Sequence, residues 1–223
     1  IHEETNVFNI AIEGNFDDCQ NLVKAMFNDE EFSKTINMSG VNSINWARII
    51  AQSVYYFYAY FKVGKSQPLS FSVPTGNFGD IYAGYLAKKL GLPIDKLIVA
   101  TNKNDILHRA ISGGDYSQKK VEETNTPSMD IQIASNFERL LYDVKECNSE
   151  FTKDIMTKIK NNTYKIGKND LDKIKMNFIS EMLEENETVE MIKTINDEHQ
   201  MVVDPHTAVG IGAVRKLGLE KNC

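Results

Sequence analysis

The segment Pro74-Thr75-Gly76-Asn77-Phe78-Gly79-Asp80 holds the residue types best suited to chemistry. It lies between an apolar run at 69–73 (LSFSV) and a helical pattern that turns Ala83, Gly84, Ala87 and Leu90 inward. Glycines let the backbone approach an anion closely and adopt positive φ. The first turn of the following helix presents unbonded N–H groups and the positive end of its dipole. Thr75 and Asn77 add side-chain hydrogen bonds. This chemistry suits a single phosphate group held without a lysine. Spacing alone leaves a second reading open, that of an ordinary βα turn. A dinucleotide fingerprint fails, because only Gly76 and Gly79 match a glycine pattern. Gly64-Lys65-Ser66 imitates the end of a P-loop, but Ala59 stands where the first glycine belongs and a helix precedes it.

The elements that must position this loop follow from hydrophobic period. The 69–73 run reads as a buried strand, and Gly91 with Pro93 closes the helix behind it. A second apolar strand follows at 97–100 (LIVA). Strand, helix and strand in so short a stretch make a βαβ unit with a parallel sheet, hence an α/β fold. Ligands in such sheets bind at the carboxyl ends of the strands. Upstream, 7–12 (VFNIAI) alternates and predicts a strand; Phe16, Cys19, Leu22, Val23 and Met26 predict a helix. From Ser43, a candidate N-cap, the positions Ala47, Ile50, Ala51, Val54, Phe57, Tyr58 and Phe61 predict an amphipathic helix that buries this stripe. Downstream, Phe137, Leu140, Leu141 and Val144 predict one helix, and Leu171, Ile174, Phe178 and Met182 another. The region 145–188, rich in Lys, Glu and Asn, reads as exposed, variable helices and loops. A short strand is expected at 201–203 (MVV), then a final helix from about Thr207.

Composition sets the outer bounds. The 223 residues are 42% hydrophobic and 25% charged, with a formal charge of −6. That is ordinary globular usage. No basic block suggests a nucleic-acid surface, and no apolar run is long enough to cross a membrane. Cys19, Cys147 and Cys223 are far apart and odd in number, which reads as reduced thiols in a cytoplasmic protein, with no metal site.

Five segments in order resemble threonine synthases: EGNFDDCQNLV at 13–23, NSINWARIIAQSVYYF at 42–57, SVPTGNFGDIYAGYLAKKLGLP with ATNKNDILHR from 72 to 109, PSMDIQIASNFERLL at 127–141, and DPHTAVG at 204–210. The resemblance implies the pyridoxal-phosphate-dependent fold type II, shared with the tryptophan synthase β subunit. On that basis 1–66 would complete the smaller domain and its linking helix, and 67–223 would form part of the larger, phosphate-binding domain. The cofactor implied is pyridoxal 5'-phosphate. The reaction implied is conversion of O-phospho-L-homoserine and water to L-threonine and phosphate. A related phospho-lyase giving a keto acid, or a non-catalytic phosphate-binding homologue, would share these motifs.

The same resemblance assigns residues. Thr75, Gly76, Asn77, Phe78 and Gly79 inherit the grip on the cofactor phosphate. Asn42, Ser43, Asn45 and Arg48 become candidates for the substrate cleft. Arg48 suits an anionic group because a guanidinium grips carboxylate or phosphate through two donors, although a surface ion pair explains it equally. Asp204, His206 and Thr207 would lie near the cofactor ring; a helix N-terminus explains His206 without any ligand. Asn102, Asn104 and Asp105 line the cleft or cap the next helix. The lysine that carries the cofactor's aldehyde is expected upstream of these residues, and the motif facing the pyridine nitrogen beyond Cys223. Lys103 is nearest the cleft but matches neither. The expectation is therefore an internal piece of a longer polypeptide.

Overall fold

The computed structural model describes residues 4–14, 16–40, 42, 44–63, 67–162 and 164–220. They divide into two compact units, 1–40 and 41–223. The first unit holds α1 (Phe16–Asn28) and α2 (Glu30–Thr35). Asp29 accepts the Phe32 N–H and so starts α2. Residues 7–12 form no strand, contrary to their alternation. A strand needs a partner ladder, and among the described residues none pairs with them; Phe8 and Ile10 are 80% and 83% exposed.

The second unit opens with α3 (Trp46–Val63), followed by β1 (Leu69–Pro74), α4 (Gly79–Lys89) and β2 (Ile94–Thr101). Then come α5 (Ile106–Gly113), a 3-10 turn at Pro127–Met129, α6 (Phe137–Val144), α7 (Ser149–Lys160) and α8 (Lys168–Lys175). The unit closes with β3 (Phe178–Met182), α9 (Glu185–His199) and α10 (Pro205–Leu217). The sheet runs β1-β2-β3, all parallel. Residues 97–100 in central β2 are wholly buried, as their unbroken apolar run requires. Helices cover both faces. Val209 and Ala213 of α10 pack on Ile98 and Ala100, while α4 and α6 lie over Leu97 and Val99 on the other face.

The βαβ expectation holds. Gly91 sits at φ 101° just past α4, where only glycine is unstrained. Three further expectations fail. Phe178 and Met182 belong to a strand, not a helix: their four-residue spacing imitates a helical face, but Phe178 is drawn into the core by Phe78 and Tyr85. Residues 201–203 stay extended and unpaired, with Val202 83% exposed, and lead into the cap of α10. Helix α3 buries Ile49, Ser53, Tyr56 and Tyr60 rather than the expected stripe, leaving Ile50, Val54, Tyr58 and Phe61 exposed. Both faces of α3 are apolar, so period alone cannot choose between them. The phenol of Tyr56 decides, donating to the Asp80 carbonyl at 2.9 Å and approaching its carboxylate at 3.1 Å. Burial, then the nearby Asp80 charge, pushes that phenol well above its ordinary pKa.

Two outcomes are expected. A Cβ on Gly84 would sit 2.5 Å from Tyr56 Cε1 and 2.9 Å from Leu97 Cδ2. Gly84→Ala should therefore cost ~1–3 kcal/mol in urea unfolding through overpacking. The Asp115 carboxylate accepts from the Ser117 amide at 3.0 Å and from Arg109 Nη1 at 2.6 Å. Ser117 first, then Arg109, lowers its pKa from 3.8 to about 2. A lowered folded-state pKa gives stability that is present above 3.8 and lost as pH falls toward about 2. NMR titration should find that midpoint, and Asp115→Asn should flatten the acid limb of the stability curve.

Candidate functional site

The loop after β1 sits at the carboxyl edge of the sheet, beside the end of β2 and on the same edge as that of β3. Each loop residue has a separate task. The Thr75 amide extends the sheet by donating to the Ala100 carbonyl at 2.8 Å, and its hydroxyl turns back to the Val73 carbonyl. The Gly76 backbone lies against the Ser128 carbonyl, where a Cβ would come within 2.5 Å. The Asn77 carbonyl accepts from the Asn136 amide and side chain at 3.1 and 3.2 Å, and its Oδ1 accepts the Ser135 amide at 2.9 Å. Phe78 turns into the left-handed region at φ 64° and drives its ring between Phe137 and Phe178, with ring centroids at 5.1 and 5.6 Å. Gly79 opens α4, buried and without a side-chain cap.

That arrangement leaves donors open. Among the described residues, no protein acceptor meets the amides of Gly76, Phe78, Gly79, Asp80 or Ile81. Buried amides are rarely left unpaired. Clustered at a helix N-terminus, amides so placed could seat a tetrahedral anion. Phosphate fits this cradle: Gly76 keeps one wall free of a Cβ, and positive φ at Phe78 turns the chain into the helix start.

Behind the cradle lies a buried polar network that sequence reading missed. Asn102 Nδ2 lies 2.8 Å from both Thr126 Oγ1 and Asp130 Oδ1. Asn104 Nδ2 donates to the same Asp130 oxygen at 2.9 Å and to the Glu122 carbonyl at 2.8 Å. The Thr124 amide reaches the other Asp130 oxygen at 2.9 Å. This network ties down the segment whose Ser128 carbonyl backs Gly76. Asn102 and Asn104 thus brace the loop. Asp105 precedes α5 without capping it, and binds Arg109 Nε at 2.9 Å instead. The only sequence signal was the cluster of Asn, Thr and Asp after β2, which capping explains equally well.

The remaining candidates divide. Asn42 accepts the Ile44 amide at 3.0 Å, and Asn45 accepts the Ala47 amide at 2.9 Å, so both shape the turn before α3. Arg48 lies exposed on the first turn of that helix. Ser43 and Gly64-Lys65-Ser66 lie outside the described residues. Asp204 caps α10 by accepting the Thr207 amide at 3.1 Å, and its carboxylate pKa is lowered chiefly by that bond. His206 Nδ1 lies 3.3 Å from Asp204, while its buried Nε2 has no partner among the described residues. Thr207 lines an apolar groove of about 600 Å³ along β1 with Phe71, Pro74 and Ile211. Lys103 pairs with Glu122 at 3.0 Å. Among the described residues no cluster of His, Cys, Asp and Glu could hold a metal, and no helix is long and apolar enough to cross a membrane.

The chain resembles known proteins over most of its length. No protein-family model matches the chain. Threonine synthase from Pseudomonas aeruginosa is 46% identical over 213 residues, 95% of this chain and 45% of its own length. That from Saccharomyces cerevisiae is 44% identical over 98% of this chain and 46% of its own. The crystal structure of pyridoxal-phosphate-bound threonine synthase from Brucella melitensis superposes with a TM-score of 0.84 at 48% identity, over 92% of this chain and 44% of that one. Maize serine racemase, at 12% identity and TM-score 0.56, shares the fold alone. The chain spans about half the length of the curated relatives it matches. A parallel sheet flanked by helices, with these neighbours, is the pyridoxal-phosphate-dependent fold type II. Within that class the chain is similar, over the residues it spans, to threonine synthases.

Gly76→Ala would push the loop off Ser128. Inorganic phosphate titrated by 31P NMR should bind the variant at least about tenfold more weakly, a loss of ~1.4 kcal/mol or more. The β1–β2 amides should keep their hydrogen-exchange protection.

Proposed function

We propose that this chain is the cofactor-phosphate-binding portion of a cytoplasmic threonine synthase, which converts O-phospho-L-homoserine and water to L-threonine and phosphate. The observation that carries the reading is the set of unpaired amides at Gly76, Phe78, Gly79, Asp80 and Ile81, on a chain 46% identical to a threonine synthase. These amides hold the phosphate of pyridoxal 5'-phosphate. Thr75 and Asn77 keep the loop in register, and Phe78 anchors it in the core. When bound, the cofactor supplies an electron sink for carbanion chemistry on an amino acid.

The rest of the chain builds the cleft around that anchor. Residues 1–66 complete the smaller domain and its linking helix; 67–223 belong to the larger one. The segment Asn42-Ser43-Ile44-Asn45, with Arg48, lines the substrate side, where a guanidinium complements a doubly charged phosphate ester. Asp204 holds the start of α10, so that His206 and Thr207 approach the cofactor from the β1 side. The buried, unpartnered Nε2 of His206 is a donor or acceptor left over for that purpose.

Product analysis tests the reading. The full-length gene product, given pyridoxal phosphate and O-phospho-L-homoserine, should release threonine and inorganic phosphate in equal amounts. Accumulation of 2-oxobutyrate would mark a phospho-lyase, and no turnover with retained cofactor binding would mark a non-catalytic homologue. Gly79→Val in the same protein should weaken cofactor binding by at least about tenfold, because a branched side chain crowds the helix start and its amides.

A further inference from the structure

Arg139 lies on α6, away from the phosphate loop in sequence and uninvolved in the roles assigned so far. Among the described residues its guanidinium has three partners. Nε donates to Asn136 Oδ1 at 2.9 Å. Nη2 donates to the Ile44 carbonyl at 2.8 Å, across 95 positions of chain. Its Cζ lies over the Trp46 ring, 5.3 Å from the centroid, in cation–π range. Asn136, 1% exposed, is the residue whose amide and side chain both hold the Asn77 carbonyl. A continuous line of bonds therefore runs from Ile44 through Arg139 and Asn136 to Asn77. Ile44 sits between Ser43 and Asn45, in the middle of the segment assigned to the substrate.

We propose that Arg139 is a positioning residue: it fixes the 42–48 segment at a set distance from the phosphate loop, so that substrate recognition and cofactor anchoring share one scaffold. The proposal rests on the threonine synthase reading for what the 42–48 segment binds, but not for the bonds themselves. The planar guanidinium suits the task because it holds two acceptors in fixed directions and stacks on an aromatic face at once. A lysine offers one ammonium centre and cannot span both acceptors while keeping the stack. The Asn77 clamp survives loss of Arg139, because Ser135 and the Asn136 backbone still hold that residue. The effect should therefore fall on the substrate side alone.

The test uses the full-length enzyme loaded with pyridoxal phosphate, comparing Arg139→Gln and Arg139→Lys with the parent. Arg139→Gln should raise the KM for O-phospho-L-homoserine by about tenfold or more and change kcat by less than about threefold. Amide hydrogen exchange of residues 42–48 should quicken, while residues 75–81 and the 31P resonance of the bound cofactor stay as they were. Arg139→Lys, which keeps charge and stem, should shift KM in the same direction by less, and it remains readable if the glutamine variant fails to fold. Equal loosening of both segments, or weaker cofactor binding in step with KM, would make Arg139 merely structural and overturn the proposal. So would an unchanged KM with unchanged exchange at 42–48. If the parent enzyme makes no threonine, the functional reading falls, and the exchange contrast between the two segments still decides the role of Arg139.

Discussion

Everything at the site depends on keeping a row of backbone N–H groups open. An unpaired buried amide costs about 1–3 kcal/mol, and among the described residues five unpaired amides stand together between Gly76 and Ile81, those of Phe78, Gly79 and Ile81 on buried residues. A free loop would relax to satisfy them. This one cannot, because its other groups are already committed. The Thr75 amide is in the sheet, the Asn77 carbonyl and Oδ1 are held by Asn136 and Ser135, and the Phe78 ring is locked among Phe137 and Phe178. The α4 end is steadied from behind, where Tyr56 of α3 donates to the Asp80 carbonyl. Strain at Phe78, with φ at 64°, is the visible cost of turning the chain into this shape.

The restraint comes from the long crossover between β2 and β3. Its first stretch, 102–130, forms the Asn102–Asn104–Asp130 network that sets the Ser128 carbonyl against Gly76. The next, 135–139, carries the Asn77 clamp. A parallel sheet needs such a crossover for topology alone. Here the same chain also supplies the rear wall of the site, which is why a polar network this deeply buried is satisfied bond by bond.

The strand–turn–helix at 69–89 and the βαβ unit were legible because their signals are local. An apolar run, two glycines and a helical period fall within thirty residues, and the physics of a helix N-terminus does the rest. The supports were not legible. Asn102 and Asp130 find each other across 28 positions, and Asn77 and Asn136 across 59. Nothing in the spacing of an Asn-rich sequence marks one such pair over another. Strand β3 was hidden for a different reason: Phe178 and Met182 are four apart, so the period fitted a helix, and the deciding fact, two aromatic rings waiting above Phe178, is tertiary. The buried side of α3 was misassigned likewise, since apolar residues surround that helix and only the partner of the Tyr56 hydroxyl selects a face. The alternating 7–12 segment shows the converse, a strand pattern left without a ladder to join.

The proposed way of holding the anion has a consequence for selectivity. Residues 74–80 contain no Lys or Arg, and the chain as a whole carries a charge of −6. Attraction for a phosphate therefore does not arise from a local cation in the loop. It arises from amide dipoles fixed in direction, whose strength falls off sharply with angle and distance. A point charge would accept any anion of the right sign; a rigid nest of amides accepts one whose oxygens lie where the N–H groups point. Shape then decides more than charge, and shape is maintained by bonds to Asn136, Ala100 and the Ser128 wall rather than by anything the anion supplies. Because amides do not titrate, the grip should follow the ionisation of the phosphate itself and not that of the protein.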